Sequence, residues 1–393
     1  MRRALRVSLV FAVAALGLDA HASAPPVDPP WAWASATASP TLIELDSLTD
    51  RESDLLVHCG VGEAGLRTVA KRLVERKLRD LPYLDLDGLT FAQRVAGEPH
   101  VWPRAWIVTG RALDHESTVK KLEAWRKSFH DVGERRCGIA TGHAADGTEI
   151  VAAIALDALG DMAALPVKSH AGTWLSVDAK MIVPASGAHV VVVGPSGEPR
   201  TVPTSFDGGR VRARFAPDRP GTFTVQIVAE VGTGPRPVLE AQVFADVEPP
   251  TITPNLAAPG EQAGQGVTDE ASALLAMLTA LRREENLRPL AHDARLDALA
   301  LAHARRMMQA HTVGHDVGDG DPAQRLQNAG LIAKESGENV AHAQSVRLAH
   351  RALYASPSHR TNLLRQEFDR AGVAVLDDPD GSVWVAEVFT AGL

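Results

Sequence analysis

The sequence predicts a multi-domain protein, with a layered helix-and-sheet module at each end of a central antiparallel β-sandwich. Three observations predict it. Residues 170–248 break into short β-type runs, among them WLSVDAKMIV, HVVVVGPSGEP, RVRARFAP and LEAQVFADV, punctuated by turns such as Pro195-Ser196-Gly197 and Asp207-Gly208-Gly209. Regular short strands with such punctuation indicate a sandwich. Residues 49–165 and 269–393 instead carry apolar residues at helical spacing and close on strand-like runs. The last of these, VWVAEVF, is apolar on both faces: Val383, Val385, Glu387 and Phe389 point one way, and Trp384, Ala386 and Val388 the other. A strand of that kind is covered by helices on both sides.

The 393 residues suffice for two or three domains. Hydrophobic residues make up 45% and charged residues 22%, which predicts folded cores rather than disorder. The formal charge is −8 and no long basic run is present, which argues against nucleic acid or an anionic membrane surface as the main partner.

Residues 1–22 read as a signal peptide. Arg2, Arg3 and Arg6 form a positive start, Leu9 to Leu18 a short apolar core, and Ala20-His21-Ala22 an A-x-A cleavage site. The alternative is an uncut N-terminal anchor. No cysteine follows the apolar run, and no later stretch is long and apolar enough to span a membrane. The expected location is therefore secreted, periplasmic or cell-envelope. In that oxidising setting the two cysteines, Cys59 and Cys137, are expected to form a disulfide, the alternative being two buried thiols.

Residues 23–48 are rich in Ala, Pro, Ser and Thr and read as an extended linker. Residues 49–165 hold a helical period at Leu66, Val69, Ala70 and Leu73, a second around Val119 to Phe129, and a strand-like run at 148–156. Within 170–248 the run APDRPGTFTVQIVAEV resembles the late strands of immunoglobulin-like bacterial modules, and a spacer role is expected. Residues 249–268 are Pro/Gly/Gln-rich and read as a second linker. In 269–393, Asp269 and Glu270 open a helix with Leu274, Met277, Leu278 and Leu281 on its apolar face. A second helix starts near Asp293 and carries His303 in its apolar stripe, where a hydrogen-bonded core histidine is expected. A third runs from Ser345 and ends before Pro357. Two strands follow, joined by the turn Asp377-Asp378-Pro379-Asp380-Gly381.

Six elements of this last region stand in a specific order: RREENLRPLAHDARLDALALAHARRM, GHD, AQRL, GENV, SPSHRTNLL and GSVWVAEVF. In them the region resembles the CAP superfamily (cysteine-rich secretory proteins, antigen 5 and plant pathogenesis-related 1) in its compact bacterial form. The resemblance covers 269–393 and implies an α-β-α sandwich with a cleft lined by His and acidic residues. Matched onto this chain, the cleft residues are His315, Glu338, His359 and Glu387. Arg325, Asn339, Arg360 and Asn362 lie in the same motifs and are expected to support it structurally. Three positions depart from the family pattern. Leu353-Tyr354 stand where one aromatic usually precedes the SPSH segment, Glu387 stands where bacterial members commonly have Gln, and Ala374 replaces a frequent glycine.

Residues 49–165 read as a degenerate second copy of the same module. AQR at 92–94 repeats at 323–325, and the helix around Leu66 parallels that around Leu296. Gly138 and Gly147 match Gly372 and Gly381 at one offset, and His130 parallels His359. Ala153 then stands where Glu387 stands, Asp85-Leu86 match the region of His315, and no Gly-Glu-Asn occurs.

Glu338 follows Gly337 in an expected turn, and His359 follows Ser356-Pro357-Ser358, also read as a turn. A carboxylate at Glu387 must be paired, protonated or at the mouth of a cleft, because burial of a lone charge costs several kcal/mol or more. Two imidazoles and two carboxylates in one cleft permit three things. They could hold a divalent cation, zinc above others; they could perform acid–base chemistry; or they could form a hydrogen-bonded network that fixes loops. His311 and His315 do not make an H-E-x-x-H motif, and no G-x-S-x-G elbow or cysteine nucleophile occurs in this region. The leading expectation is binding of an extracellular small-molecule, lipid or peptide ligand, with a divalent cation as a candidate cofactor. The alternatives are a metal-assisted hydrolase of peptide or ester bonds, and an envelope scaffold with a protein partner and no cleft chemistry.

Overall fold

The computed structural model describes residues 28–393 except 40, 45, 46, 130, 131, 233, 255 and 256. The expected signal peptide and His130 lie outside the described residues.

The two end modules share one order of elements, except that the second has an additional helix, Pro357–Leu364. In the first, helices Asp50–Cys59, Ala64–Leu78, Leu86–Val95 and His115–Arg126 surround a sheet built from Val61–Gly62, Arg104–Gly110, Glu134–His143 and Glu149–Ala158. In the second, helices Glu270–Glu284, Ala294–Ala310, Pro322–Asn328, Val346–Ala355 and Pro357–Leu364 surround a sheet of Ala291–His292, Glu335–Ala343, Arg370–Asp377 and Val383–Ala391. Each sheet places the short first strand parallel to the third, the fourth next to it, and the second strand at the far edge.

The parallel extends to packing. An added Cβ at Gly138 would sit 2.1 Å from Arg67 N and Leu66 C; at Gly372 it would sit 2.3 Å from Asp297 N and Leu296 C. In both modules a long helix lies directly on the sheet at a glycine, so any side chain there would push the layers apart. The AQR triplets fall on corresponding helices, Leu86–Val95 and Pro322–Asn328, and both of their arginines are buried.

The helix starts follow their capping residues. Thr49 and Glu52 form a capping box, and Asp85, Asp114, Asp269, Asp293, Asp321 and Ser345 each accept from a backbone N–H of the following turn. Pro322 and Pro357 occupy first-turn positions, where a missing N–H costs nothing. Cys59, at the end of the first helix, is disulfide-bonded to Cys137 on the facing strand, as expected.

Between the modules, a five-stranded sheet and a four-stranded sheet face each other. Val190, Val192, Val225 and Ile227 from one meet Val177, Val211 and Phe215 from the other in a single core. Strand Leu175–Met181 alternates buried and exposed residues, as a sheet with one wet face should.

The Ala/Pro-rich segment differs from a free linker. Residues 28–38 are extended, but Trp31 is buried under Arg72, 4.4 Å from its ring centroid, and Trp33 Nε1 donates to Pro250 O at 2.7 Å. Ala36–Thr37 pairs with Leu165–Pro166. Two tryptophans supply apolar area that the surrounding prolines cannot. The second linker also docks in part: a 3₁₀ turn, Glu261–Gly264, places the buried Glu261 against Arg351 at 2.6 Å.

A polar chain crosses all three bodies. Ser358 N donates to Gln226 Oε1 at 3.2 Å, Gln226 Nε2 donates to Glu240 Oε2 at 2.9 Å, and Arg94 Nη2 meets Glu240 Oε1 at 3.3 Å.

Candidate functional site

His315 lies in the loop between helices Ala294–Ala310 and Pro322–Asn328. That loop is held from within. His303, fully buried on the first helix, bonds Asp319 Oδ2 through Nδ1 at 2.8 Å and Gly314 O through Nε2 at 2.9 Å. It is thus the hydrogen-bonded core histidine that its place in the stripe implied. Asp316 accepts from Gly318 N and Gly320 N, and Arg325 donates to His315 O at 2.7 Å and to Gly320 O. Asp319 was not legible as a support residue; the only signal was the repeated acid in GDGD.

Glu338 is in strand Glu335–Ala343 rather than in a turn. Gly337 before it is required by close packing, because an added Cβ would lie 2.7 Å from Asn362 Oδ1 and 2.9 Å from Phe368 Cζ. The Glu338 carboxylate is fully engaged. Oε1 faces His315 Nδ1 at 2.9 Å, and Oε2 accepts from Arg325 Nη2. A guanidinium and an imidazole thus compensate a carboxylate whose side chain is 1% exposed.

His359 sits in the first turn of helix Pro357–Leu364, not in a turn ahead of it. Proline at the first helical position starts this helix; its effect on the preceding residue ends the helix before it. The imidazole keeps some surface but lies in a crevice. Burial, with His315 facing it, pushes its pKa down to about 3. It is neutral at physiological pH.

Glu387 is fully buried in the central strand Val383–Ala391. Its Oε2 accepts from Asn339 Nδ2 at 3.0 Å, and its Oε1 has no hydrogen-bond partner. Burial pushes its pKa up to about 7, against the opposing effect of that one hydrogen bond. Asn339 also donates to His359 O at 3.2 Å, and Asn362 Nδ2 donates to Asn339 Oδ1 at 3.0 Å and Glu338 O at 3.1 Å. Arg360 stacks 4.1 Å over Tyr354.

The strand alternation divides the expected set. Glu338 and Asn339 are consecutive on an edge strand, so they point to opposite faces. Glu338 shares its face with Val340, Trp384 and Ala386; Glu387 shares the other with Val383, Val385 and Phe389. The structure therefore pairs His315 with Glu338 on one side and Glu387 with Asn339 on the other. His359, on the helix Pro357–Leu364, lies close enough to His315 to feel its charge. Among the described residues, the donor atoms of His315, Glu338, His359 and Glu387 do not supply three ligands within 4.8 Å of one another. Two imidazoles are the parts of this set that fit a cation. His315 Nδ1 is fixed by Glu338, the arrangement that orients a metal-binding histidine, and the His359 ring has no hydrogen-bond partner among the described residues. The Glu338 carboxylate is engaged at both oxygens, whereas Glu387 engages only Oε2, on the opposite face of the sheet.

At the matching place in the first module, Ala153 pairs with Trp106 across the strands, as Glu387 pairs with Asn339. Asp85 caps Leu86–Val95 as Asp321 caps Pro322–Asn328. Two further concavities, of about 250 and 380 Å³, lie away from the His315 crevice, at Glu63 and Arg136 and at Leu290 and Arg370.

The model of the cysteine-rich secretory protein family, CAP, matches residues 275–389. No curated protein sequence matches this chain. Among solved structures, an outer surface protein from Borrelia burgdorferi is 22% identical, with 32% of this chain and 93% of that one covered and a TM-score of 0.30. An extracellular protein containing a SCP domain from Bacillus anthracis is 16% identical, covering 59% and 86%, with a TM-score of 0.29. A cysteine-rich secretory protein from Staphylococcus aureus is 12% identical, covering 59% and 85%, with a TM-score of 0.27.

Proposed function

Because the C-terminal region of this chain, residues 275–389, is a CAP-superfamily domain, we propose that the protein is exported and binds an extracellular ligand at the crevice between His315 and His359, with a divalent cation as the bridging group. The observation that carries this reading is the His315 ring oriented from behind by Glu338, with the neutral His359 ring close enough to feel the charge of His315. The cation would be held by His315 Nε2 and His359, with its open positions left to water and ligand; zinc suits two imidazoles. Glu338 orients and Glu387 packs; neither is a ligand in this reading.

The first module is read as a CAP-like copy that kept the shape and lost the site. Its support is the shared sheet order, the paired glycines, and Ala153 facing Trp106 where Glu387 faces Asn339. The central domain is read as an immunoglobulin-like spacer, which Gln226 ties to Ser358 beside His359.

The test is metal content and binding by the full chain. A loss of about one zinc equivalent relative to the wild type in both His315→Ala and His359→Ala supports the reading. Zinc content equal to the wild type's in both variants sinks it. Turnover in a screen of peptide and ester substrates that disappears with the metal would move the assignment to a hydrolase.

A further inference from the structure

A second ligand set lies far from the His315 crevice, where the first module meets the sandwich. Glu63, Glu98 and His100 place one ligand atom each within 4.8 Å of one another. All three are buried, at 2%, 1% and 1% exposure. We propose that this cluster is a divalent-cation site that clamps the first module to the sandwich, with Glu63, Glu98 and His100 as its protein ligands.

Three observations beyond the clustering point to a cation. The first is the orientation of His100. Its Nε2 bonds the backbone carbonyl of Gly160 at 3.0 Å, so Nε2 carries a hydrogen, and its Nδ1 meets Glu98 Oε1. A backbone carbonyl behind the ring is the usual partner of a metal-bound histidine. In the ion-free protein a proton supplies the positive charge between Nδ1 and the Glu98 carboxylate, and a divalent cation would take that proton's place.

The second is Glu63. It occupies the N-cap of helix Ala64–Leu78 but its side chain makes no cap bond. Asp293, at the same place in the second module, accepts from Arg295 N. Glu63 turns inward instead, and its Oε1 is buried without a hydrogen-bond partner. Leaving a buried carboxylate oxygen unmatched is costly unless something outside the protein meets it. Glu63 also lines the concavity of about 250 Å³, together with Arg136 and Asp161, which gives water and a cation a way in.

The third is charge. Glu63, Glu134 and Asp161 share one guanidinium, that of Arg136, which reaches Asp161 at 2.7 Å, Glu134 at 2.8 Å and Glu63 at 3.4 Å, while Glu98 has the His100 ring as its partner. A divalent cation on the far side of Glu63 would balance what Arg136 leaves. One imidazole and two carboxylates suit zinc or manganese better than calcium, which takes six to eight oxygens.

The consequence for the fold is specific. All three ligands belong to the first module, and His100 ties it to the sandwich, through an isolated bridge with Leu239 and a bond to Gly160, whose strand Gly160–Met162 pairs with Leu175–Met181. A bound cation would join the two bodies and raise their thermal stability together.

The experiment uses the full chain carrying His315→Ala and His359→Ala, which silences the other crevice. The protein is stripped with chelator, reloaded with zinc, passed through gel filtration and assayed for metal. We expect about one equivalent retained and a melting temperature several degrees above the stripped form, both lost in Glu63→Gln and in His100→Gln. Less than about a fifth of an equivalent in the folded double variant, or full retention in either substituted chain, would overturn the proposal. Should one substitution prevent folding, the uptake by the double variant and the other substitution still decide.

Discussion

Asn339 donates to Glu387 across adjacent strands at 3.0 Å, while Glu338, one residue earlier, turns to the other face of the sheet. The two acids of the cleft therefore sit in different surroundings, and they should answer differently to substitution and to pH.

Glu387 has its pKa raised by burial to about 7 from 4.5. The folded state holds the proton more tightly than the unfolded chain, so this group's stabilisation is present at low pH and is lost as pH rises from about 4.5 to about 7. The full loss is on the order of 3 kcal/mol. Glu387→Gln should remove that dependence and be at least as stable as the wild type at pH 8. Urea denaturation at several pH values checks it; a Gln variant with an unchanged pH slope would refute the assignment.

His359 behaves with the opposite sign. Burial holds its pKa down to about 3, so its contribution is present above about 6.5 and is lost as pH falls towards 3. Relative to the wild type, His359→Gln should lose less stability between pH 6.5 and 4.5. The same titrations read this as a difference between the two curves.

Arg325 is the cation behind Glu338. Arg325→Ala strands a buried carboxylate and should cost about 3–5 kcal/mol. His315→Ala, removing a side chain one-third exposed at 33%, should cost less than about 1 kcal/mol. Chemical denaturation of the two variants separates them; equal costs would mean that Glu338 is not balanced by Arg325.

The paired glycines give a test of the shared architecture. Gly138→Ala and Gly372→Ala each drive a methyl group into helix backbone and should each destabilise by about 1–3 kcal/mol or more. Loss of the Cys59–Cys137 disulfide, which spans 78 residues, should cost about 2–5 kcal/mol more by the same assay under reductant.

Much of this was legible in the residues themselves. The two-faced strand around Glu387, the acid-capped helices and the repeated AQR and glycine positions follow from periodicity and close packing. The errors have physical causes. Gly337 and Asn339 look like turn formers, but one makes room for Asn362 and Phe368 and the other bonds Glu387 within the sheet. Ser356-Pro357 reads as a break, yet proline starts the helix that carries His359. Trp31 and Trp33 anchor a segment whose prolines suggested a free linker. Glu63, Glu98 and His100 were not legible, since no spacing links an N-cap acid to a loop more than thirty residues on; only the fold brings them together.

The most direct test of the crevice is zinc stoichiometry in the Glu63→Gln chain, where the other cluster is silenced. The account predicts about one equivalent retained through gel filtration, falling below about a fifth when His315→Ala and His359→Ala are added. Retention that is unchanged by the two alanines, or no retention before they are added, would contradict it.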